Sequence, residues 1–297
     1  MQSHSVYRAF FGLKDDPFSL SPDPAFLYRS EQHEEALSNL IYGVQARKGF
    51  IVLTGEVGTG KTTMLECLRD WLSQQAIEFA FIFNSRITGS EFLQMVAYDF
   101  DLRCDAKSKP EMLSALQEMA FRQSERGSTA VLIVDECHNL EWDVLEEIRM
   151  LGNLENRKGK LLQVILAGQP EFDRRLDAPN LRQLKQRIVL RYALEPFGVQ
   201  DTTKYIESRF RTAGMPNQKV FSEDLIGEIH KRTQGIPRII NAVCDNLLLT
   251  CFADASKVAT MEMLDEVSAD MRLEYSRSRL TFDPETELMP RSRSRDV

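Results

Sequence analysis

The segment Gly55, Glu56, Val57, Gly58, Thr59, Gly60, Lys61, Thr62 constrains this chain more than any other. Two glycines framing four residues, followed by Lys and Thr, let successive backbone N–H groups turn inward around phosphate oxygens. Lys61 brings a point charge to the β- and γ-phosphates. The Thr62 hydroxyl is suited to ligate Mg²⁺, and the helix that follows aims its positive end at the anion. The binding segment is read as Gly55 to Thr63. Such a loop works only between a strand and a helix. Phe50 to Thr54 is a short apolar run and Lys61 to Gln74 has helical spacing, so the flanks meet that demand.

A second segment completes the chemistry. Val131 to Val134 reads as a buried strand ending in Asp135 and Glu136. A carboxylate at a strand tip can hold the water shell of a Mg²⁺ ion, which is the role expected of Asp135. A second carboxylate beside it can polarise a water for in-line attack on the γ-phosphate, which is the role expected of Glu136. An acidic pair, rather than one acid and a neutral neighbour, favours hydrolysis of ATP over binding alone. Three more polar residues fall where a phosphate-sensing apparatus would lie. Asn84 ends the second strand, Gln169 follows the strand Leu161 to Gly168, and Arg238 opens a helix just after Gly235 and Pro237.

Between these motifs the chain alternates. Helical patterns are predicted over Glu31 to Arg47, Lys61 to Gln74, Ser90 to Phe100, Glu111 to Arg126, Trp142 to Asn153 and Leu181 to Gln186. Short apolar strands are predicted at Phe50 to Thr54, Glu78 to Phe83, Ala130 to Val134, Leu161 to Ala167 and Ile188 to Leu194. Strands of this kind separated by helices imply a parallel sheet covered on both faces. After Pro196 the strands stop. Val199 to Ala213, Ser222 to Thr233, Ile236 to Ala253 and Thr260 to Leu273 are all helical in pattern. The expected organisation is an extended aromatic leader over residues 1–30, an α/β domain over 31–196, a helical domain over 197–275 and a disordered polar tail over 276–297.

Composition narrows the setting. At 297 residues, 43% hydrophobic and 27% charged, the chain suits a globular protein of two parts. A formal net charge of -7 argues against a blanket nucleic-acid coat. Five cysteines, none in a C-x-x-C pair, argue against a disulfide framework or a zinc site. Cys137 is expected to be a small core residue. His138 beside it is expected to be a loop histidine without a role, the alternative being contact with substrate or a neighbouring subunit, and the scattered His4, His33 and His230 suggest no metal centre. No secretory signal and no run of about 20 apolar residues is visible, so the expected location is the cytoplasm, with any membrane contact made through partners.

The order of phosphate loop (Walker A), strand with Asp-Glu (Walker B), polar strand end, Arg before the last strand, and Gly-x-Pro-Arg in a helical unit resembles the AAA+ ATPases. More narrowly, FGLKDDPFSLSPDPAFLYRSEQHEEAL, AGQPEF and LRQLKQRI resemble the ExeA family, the general secretion pathway protein A type, over roughly Tyr7 to Leu273. The resemblance implies a P-loop NTPase core followed by an all-helical lid. It makes Gln169 the first sensor of the γ-phosphate, Arg238 the second, and Asn84 a polar switch acting on Glu136. Arg187 becomes the arginine finger acting on a neighbour's ATP, with Arg182 and Arg191 as nearby alternatives. A finger acting in trans implies a homo-oligomer, a ring or filament of six subunits. The leader, Phe11 to Tyr28, is expected along the adenine pocket. Longer proteins of this type continue into a membrane span and a peptidoglycan-binding region, which this sequence lacks, so direct cell-wall binding is not expected.

Three functions compete at this level. One is a motor or assembly ATPase of an envelope system: secretion, pilus biogenesis or exopolysaccharide export. Another is a DNA-associated regulator of the transposition type, for which the basic residues are Arg157, Lys158, Lys160, Arg174 and Arg175. The third is a nucleotide switch in which binding drives assembly and hydrolysis resets it.

Overall fold

A computed structural model describes residues 6–20, 23–83, 86–103, 108–157 and 159–273. The chain opens with a one-turn helix α1 (Arg8–Phe11) and continues through α2 (Glu31–Gln45), β1 (Phe50–Gly55), α3 (Lys61–Gln74), β2 (Phe79–Ile82), α4 (Gly89–Asp99), α5 (Lys109–Glu125) and β3 (Ala130–Val134). Then come α6 (Trp142–Leu151), the small hairpin β4 (Glu155–Asn156) and β5 (Gly159–Lys160), β6 (Leu162–Gly168), α7 (Pro170–Leu176), α8 (Arg182–Lys185) and β7 (Ile188–Leu194). Four helices finish the described chain: α9 (Val199–Thr212), α10 (Glu223–Thr233), α11 (Pro237–Ala253) and α12 (Met261–Asp270).

The five long strands form one parallel sheet in the order β2-β3-β6-β1-β7. β1, β3 and β6 are buried along their whole length, as strands covered on both faces must be. Alternate side chains feed two cores. Phe50 and Val52 join the face covered by α4, α5, α6 and α8. Ile51 and Leu53 join the face covered by α2 and α3. After β1 the chain leaves for the far edge at β2, whereas after β6 it crosses over β1 to β7. Strand order therefore reverses between β1 and β6, and ligands of open α/β sheets bind outside the carboxyl ends of strands at such a point.

The sequence pattern anticipates most of these elements, and the differences have local causes. The helix expected to reach Asn153 stops at Leu151 with Gly152 as its cap, its N–H still donating to the Ile148 carbonyl, and a Cβ there would collide with the buried Phe50 ring. The single helix expected over Leu181 to Gln186 is a 3₁₀ turn at Pro179–Leu181 followed by α8. Two elements lack a strong pattern and go unforeseen: the β4–β5 hairpin and α7. Helix α7 has a start signal nonetheless, with Pro170 in its first turn followed by Glu171. The region 276–297 lies outside the described residues.

The aromatic leader is tied to the C-terminal helices. Tyr7, Phe11, Leu13, Phe18 and Phe26 share one core with Phe197, Tyr205, Phe210, Phe221 and the apolar faces of α9 to α12. Phe18 meets Phe210 edge-on with ring centroids 5.2 Å apart, and the Tyr7 hydroxyl donates to Asp245. Burying such rings is worth about 1.5–3 kcal/mol each.

The turn between α10 and α11 is fixed against the end of the sheet domain. Phe197 N–H donates to the Gly235 carbonyl at 2.9 Å. Gly235 has φ +71, and a Cβ there would stand 2.0 Å from the Phe197 carbonyl oxygen. Neither partner of that clash is a flexible side chain. We expect Gly235→Ala to lower stability by about 2 kcal/mol or more, from left-handed strain plus main-chain displacement. Thermal and urea unfolding of both proteins measure this; a difference below about 0.5 kcal/mol, the ordinary range for a neutral surface change, would contradict the contact.

Candidate active site

The phosphate loop leaves the carboxyl end of β1, between Gly55 and the first turn of α3. Gly60 takes φ +105, a left-handed conformation open to glycine at no steric cost. It caps α3 without any side-chain hydrogen bond, so the first-turn N–H groups are left to face a ligand. Thr59 is buried and its hydroxyl donates to the Glu56 carbonyl at 2.9 Å, which closes the loop on itself. Glu56, Val57, Thr62 and Thr63 face outward. Lys61 is buried, and its ammonium donates to the carbonyls of Gly55 at 2.7 Å and Glu56 at 3.0 Å. Burial pulls its pKa down, opposed by the nearby Glu136 and Asp135 carboxylates.

Asp135 follows β3 on the same edge of the sheet. Its N–H donates to the Ile82 carbonyl at 2.8 Å, so the residue is still locked into the strand ladder. Its side chain is 5% exposed. One carboxylate oxygen accepts from the Thr62 hydroxyl at 3.2 Å and the other from the Glu136 N–H at 2.8 Å. Burial raises its pKa in spite of those donors. A carboxylate strained in this way is one that a divalent cation would hold ionised. Glu136 turns the chain with φ +54, a sparsely populated conformation for a non-glycine residue. Cys137, next to it, is fully buried, and burial pushes its thiol well up; it is the small core residue that the sequence suggests.

Gln169 follows β6 and lies near Glu136 through an intermediary. Its N–H donates to His138 Nδ1 at 3.3 Å, and its carboxamide nitrogen sits 2.9 Å from His138 Nε2. The same Nε2 lies 3.3 Å from Glu136 Oε2. Arg175 of α7 donates to the carbonyls of His138 and Leu140, fixing the turn that carries the ring. Arg238 reaches the phosphate loop directly: its N–H donates to the Gly58 carbonyl at 3.3 Å, and a Cβ on Gly58 would stand 2.7 Å from the Arg238 Cβ.

The other sequence-derived candidates are elsewhere. Asn84 lies outside the described residues. Arg187 immediately precedes β7, whose Ile188 aligns with Phe50 at the opposite end of β1 from the phosphate loop. Six strand residues put its backbone about 20 Å from that loop. Its guanidinium donates to the Arg149 carbonyl at 2.7 Å. Arg191 pairs with Asp173 at 3.0 Å, and Arg182 is exposed at the start of α8. Arg174 pairs with Glu171, Lys160 with Glu155, and Arg175 is committed to the His138 turn. Among the described residues no cluster of His, Cys, Asp and Glu forms a three-ligand metal centre, and no helix is long and apolar enough to cross a membrane.

Sequence reading passes over His33, which holds the loop from below. Its ring is buried on α2. Nε2 donates to the Thr59 carbonyl at 3.1 Å, since a carbonyl can only accept, and Nδ1 then accepts from the Ser30 hydroxyl at 2.8 Å. The ring also meets Phe197 edge-on at 5.4 Å. Burial lowers its pKa from the ordinary 6.5. The sign follows: above 6.5 the neutral ring serves both states, and below it the unfolded chain gains a proton the folded site resists. His33 therefore adds stability above pH 6.5 that is lost as pH falls through its folded pKa. We expect the stability advantage of wild type over His33→Gln to be about 1–2 kcal/mol at pH 7.5, the usual cost of disturbing a buried hydrogen-bonded group. It should shrink by pH 5.5 in chemical unfolding. An advantage that holds or grows on acidification would contradict a buried neutral ring.

Comparison with known proteins places this geometry. Residues 44–176 match the AAA domain family. Over 252 residues, 84% of this chain, the sequence is 42% identical to general secretion pathway protein A of Aeromonas hydrophila. The chain spans about half the length of that relative, the match covering 46% of it. Among solved structures, Cdc6p from Pyrobaculum aerophilum superimposes with a TM-score of 0.66 at 18% identity, covering 87% of this chain and 71% of that one. Drosophila ORC bound to DNA gives 0.62 at 19% identity, covering 91% and 67%. At such identities the two structures carry the fold alone, a P-loop NTPase sheet with helices on both faces and a helical C-terminal region. The chain therefore belongs to the AAA+ family of P-loop proteins and, within it, is kin to general secretion pathway protein A.

Proposed function

We propose that this chain hydrolyses ATP with Mg²⁺ at a site completed by a neighbouring subunit, and that the cycle powers assembly or remodelling of an envelope system. The observation that carries the reading is the meeting of Thr62 and the buried Asp135 at 3.2 Å beside the phosphate loop. These residues fit the group that the chemistry needs. The free first turn of α3 and Lys61 suit phosphate oxygens, while a hydroxyl and a buried carboxylate suit a hard divalent cation that keeps most of its waters. Mg²⁺ bound there would neutralise charge developing on the transferring phosphoryl group.

The chain's own residues then divide the work. Gly55 to Thr63 bind and orient the phosphates, with Lys61 trading its two carbonyl acceptors for phosphate oxygens. Glu136 accepts a proton from water as the water oxygen bonds to the γ-phosphorus. The bond from γ-phosphorus to the bridging oxygen breaks, leaving ADP and inorganic phosphate. Gln169 contacts the γ-phosphate, and Arg238 approaches from the helical region. In this reading residues 31–196 form the nucleotide domain, 197–275 its lid and 1–30 the leader. Arg187, at the far end of the sheet from its own loop, serves the next subunit, which calls for a ring or filament.

Kinship to a secretion protein supports the envelope role, with the chain held in the cytoplasm and reaching the inner membrane through partners. Of the basic residues that the DNA-associated alternative would use, Arg174, Arg175 and Lys160 have internal partners, whereas Arg157 is exposed.

We expect Lys61→Ala to lose ATP binding. Glu136→Gln should bind ATP and turn it over at least about 10²-fold more slowly, the scale of a general base. Arg187→Ala should bind normally and lose turnover by about 10³-fold, the lower end for an arginine finger. Fluorescent-nucleotide titration and phosphate release measure all three. Full turnover in Glu136→Gln would overturn the mechanism, and loss in Arg182→Ala with Arg187→Ala intact would move the finger.

A further inference from the structure

We propose that helix α7 is a brace between the two halves of the nucleotide site, with Asp173 and Arg175 as positioning residues that set Glu136 at its working distance from the phosphate loop. This role rests on the ATP-hydrolysis reading above and deepens it.

Sheet order creates the need. Lys61 and Thr62 follow β1, Glu136 follows β3, and β6 runs between those two strands. The two groups therefore leave the sheet about 10 Å apart, two strand spacings. The β6 ladder fixes that gap as far as its last pairs, Thr54 with Gly168 on one side and Val134 with Leu166 on the other. Glu136 to Leu140 lie beyond them. Placement there matters, because a shift of about 1 Å in a reacting group can cost on the order of 10²-fold in rate.

Helix α7 starts at this edge, directly after β6, and reaches to both sides. Toward β1, Asp173 accepts from the buried Thr54 hydroxyl at 2.9 Å, one residue before the phosphate loop. Its other oxygen accepts from Arg191 of β7 at 3.0 Å, which orients the carboxylate. Toward β3, Arg175 donates to the carbonyls of His138 and Leu140. A guanidinium that spans two carbonyls acts as a fork and holds orientation as well as distance.

The helix between these grips is firmly mounted. Phe172 and Leu176, one turn apart, are fully buried in the core. A Cβ on Gly168 would stand 3.3 Å from Phe172 Cβ and 3.4 Å from the His138 backbone nitrogen, so the start of the helix has little room to shift. Gln169 caps the helix and donates its N–H to His138 Nδ1 at 3.3 Å. The candidate for the γ-phosphate, the grip on β1 and the grip on the Glu136 turn thus ride on one element. The Asp173–Arg191 pair is 39% and 37% exposed, so it adds little to stability and its effect is placement.

A brace works only while both ends are attached. Releasing either end frees the gap, and releasing the second then adds little. Two independent supports behave otherwise, because their effects add in free energy and multiply in rate. Asp173 and Arg175 hold different partners, which makes the distinction measurable.

The test is steady-state ATP turnover and nucleotide affinity of the full chain carrying Asp173→Ala, Arg175→Ala, both together, Thr54→Val, Thr54→Ser, Arg174→Ala and Glu136→Gln. We expect Asp173→Ala and Arg175→Ala each to lower kcat about tenfold, with affinity for ATP and ADP within about twofold. The double variant should fall no more than about threefold below the worse single one, where independent supports would give about 100-fold in total. Thr54→Val removes the hydroxyl at nearly constant volume and should match Asp173→Ala; Thr54→Ser keeps the hydroxyl and should recover most of that loss. Arg174, paired with Glu171 on the outside of the same helix, is the control, and Arg174→Ala should stay within about twofold of wild type. Arg175→Lys keeps the charge without the fork and reads the same end should Arg175→Ala not fold. Wild-type turnover that Glu136→Gln abolishes establishes the underlying reading, and the brace is then judged on the α7 variants; absence of wild-type turnover overturns both. Unchanged kcat in either single α7 variant or in Thr54→Val overturns the brace. So do multiplying losses in the double variant, or a fall in kcat matched by lost nucleotide affinity, which would make these contacts separate structural supports.

Discussion

The structure depends on how tightly the phosphate loop is packed against side chains from other parts of the chain. Gly60 rests on the His33 ring and Gly58 on Arg238, each with too little space for a Cβ. His33 also touches Phe197, whose N–H is bonded to Gly235, three residues before Arg238. The contacts form a closed circuit: loop, α2, the segment after β7, the turn before α11, and back to the loop. Packed contacts of this kind do not deform gradually, because interiors are as dense as crystals. A shift in the loop must therefore be shared with the helices that carry Arg238.

Those helices are in turn stiffened by the leader. Phe18 and Tyr7 are fully buried among α9 to α12, so the helical region has its own core rather than sharing that of the sheet. The leader then returns through Ser30 to His33, the ring beneath Thr59. The leader's packing against the helical region gives it a mechanical role. Two cores joined by a few specific polar contacts can rotate against each other while each stays intact, which is the arrangement hinged domains use.

Much of the fold is legible in the sequence because its signals are local. The strands β1, β3 and β6 are short apolar runs with motifs at their ends, and β7 is found from Ile188 to Leu194 as its pattern requires. Lys61, Thr62, Asp135 and Glu136 declare themselves for the same reason: each sits at a spacing set by its own loop or strand. What escapes is every role defined by distant partners. His33 finds Thr59 across 26 positions and His138 finds Gln169 across 31, and a histidine alone carries no sign of either. Arg175 resembles a surface charge until α7 folds it over the His138 carbonyl. The leader's aromatics announce burial but not their partner, since a hydrophobic ring is compatible with any core.

The same distinction explains why the charges near the site cannot be judged one at a time. Asp135 is raised and Lys61 lowered by burial, so each alone is held in a costly environment. They lie close enough for each to offset part of the other's penalty, with Glu136 adding more negative charge at the edge. Three carboxylates, those of Glu136, Asp135 and Glu56, act on one ammonium, and the imbalance is negative. A phosphate chain alone would worsen it, whereas a phosphate chain carrying a divalent cation would not. The local charge balance thus argues, independently of any motif, that anion and cation enter this site together.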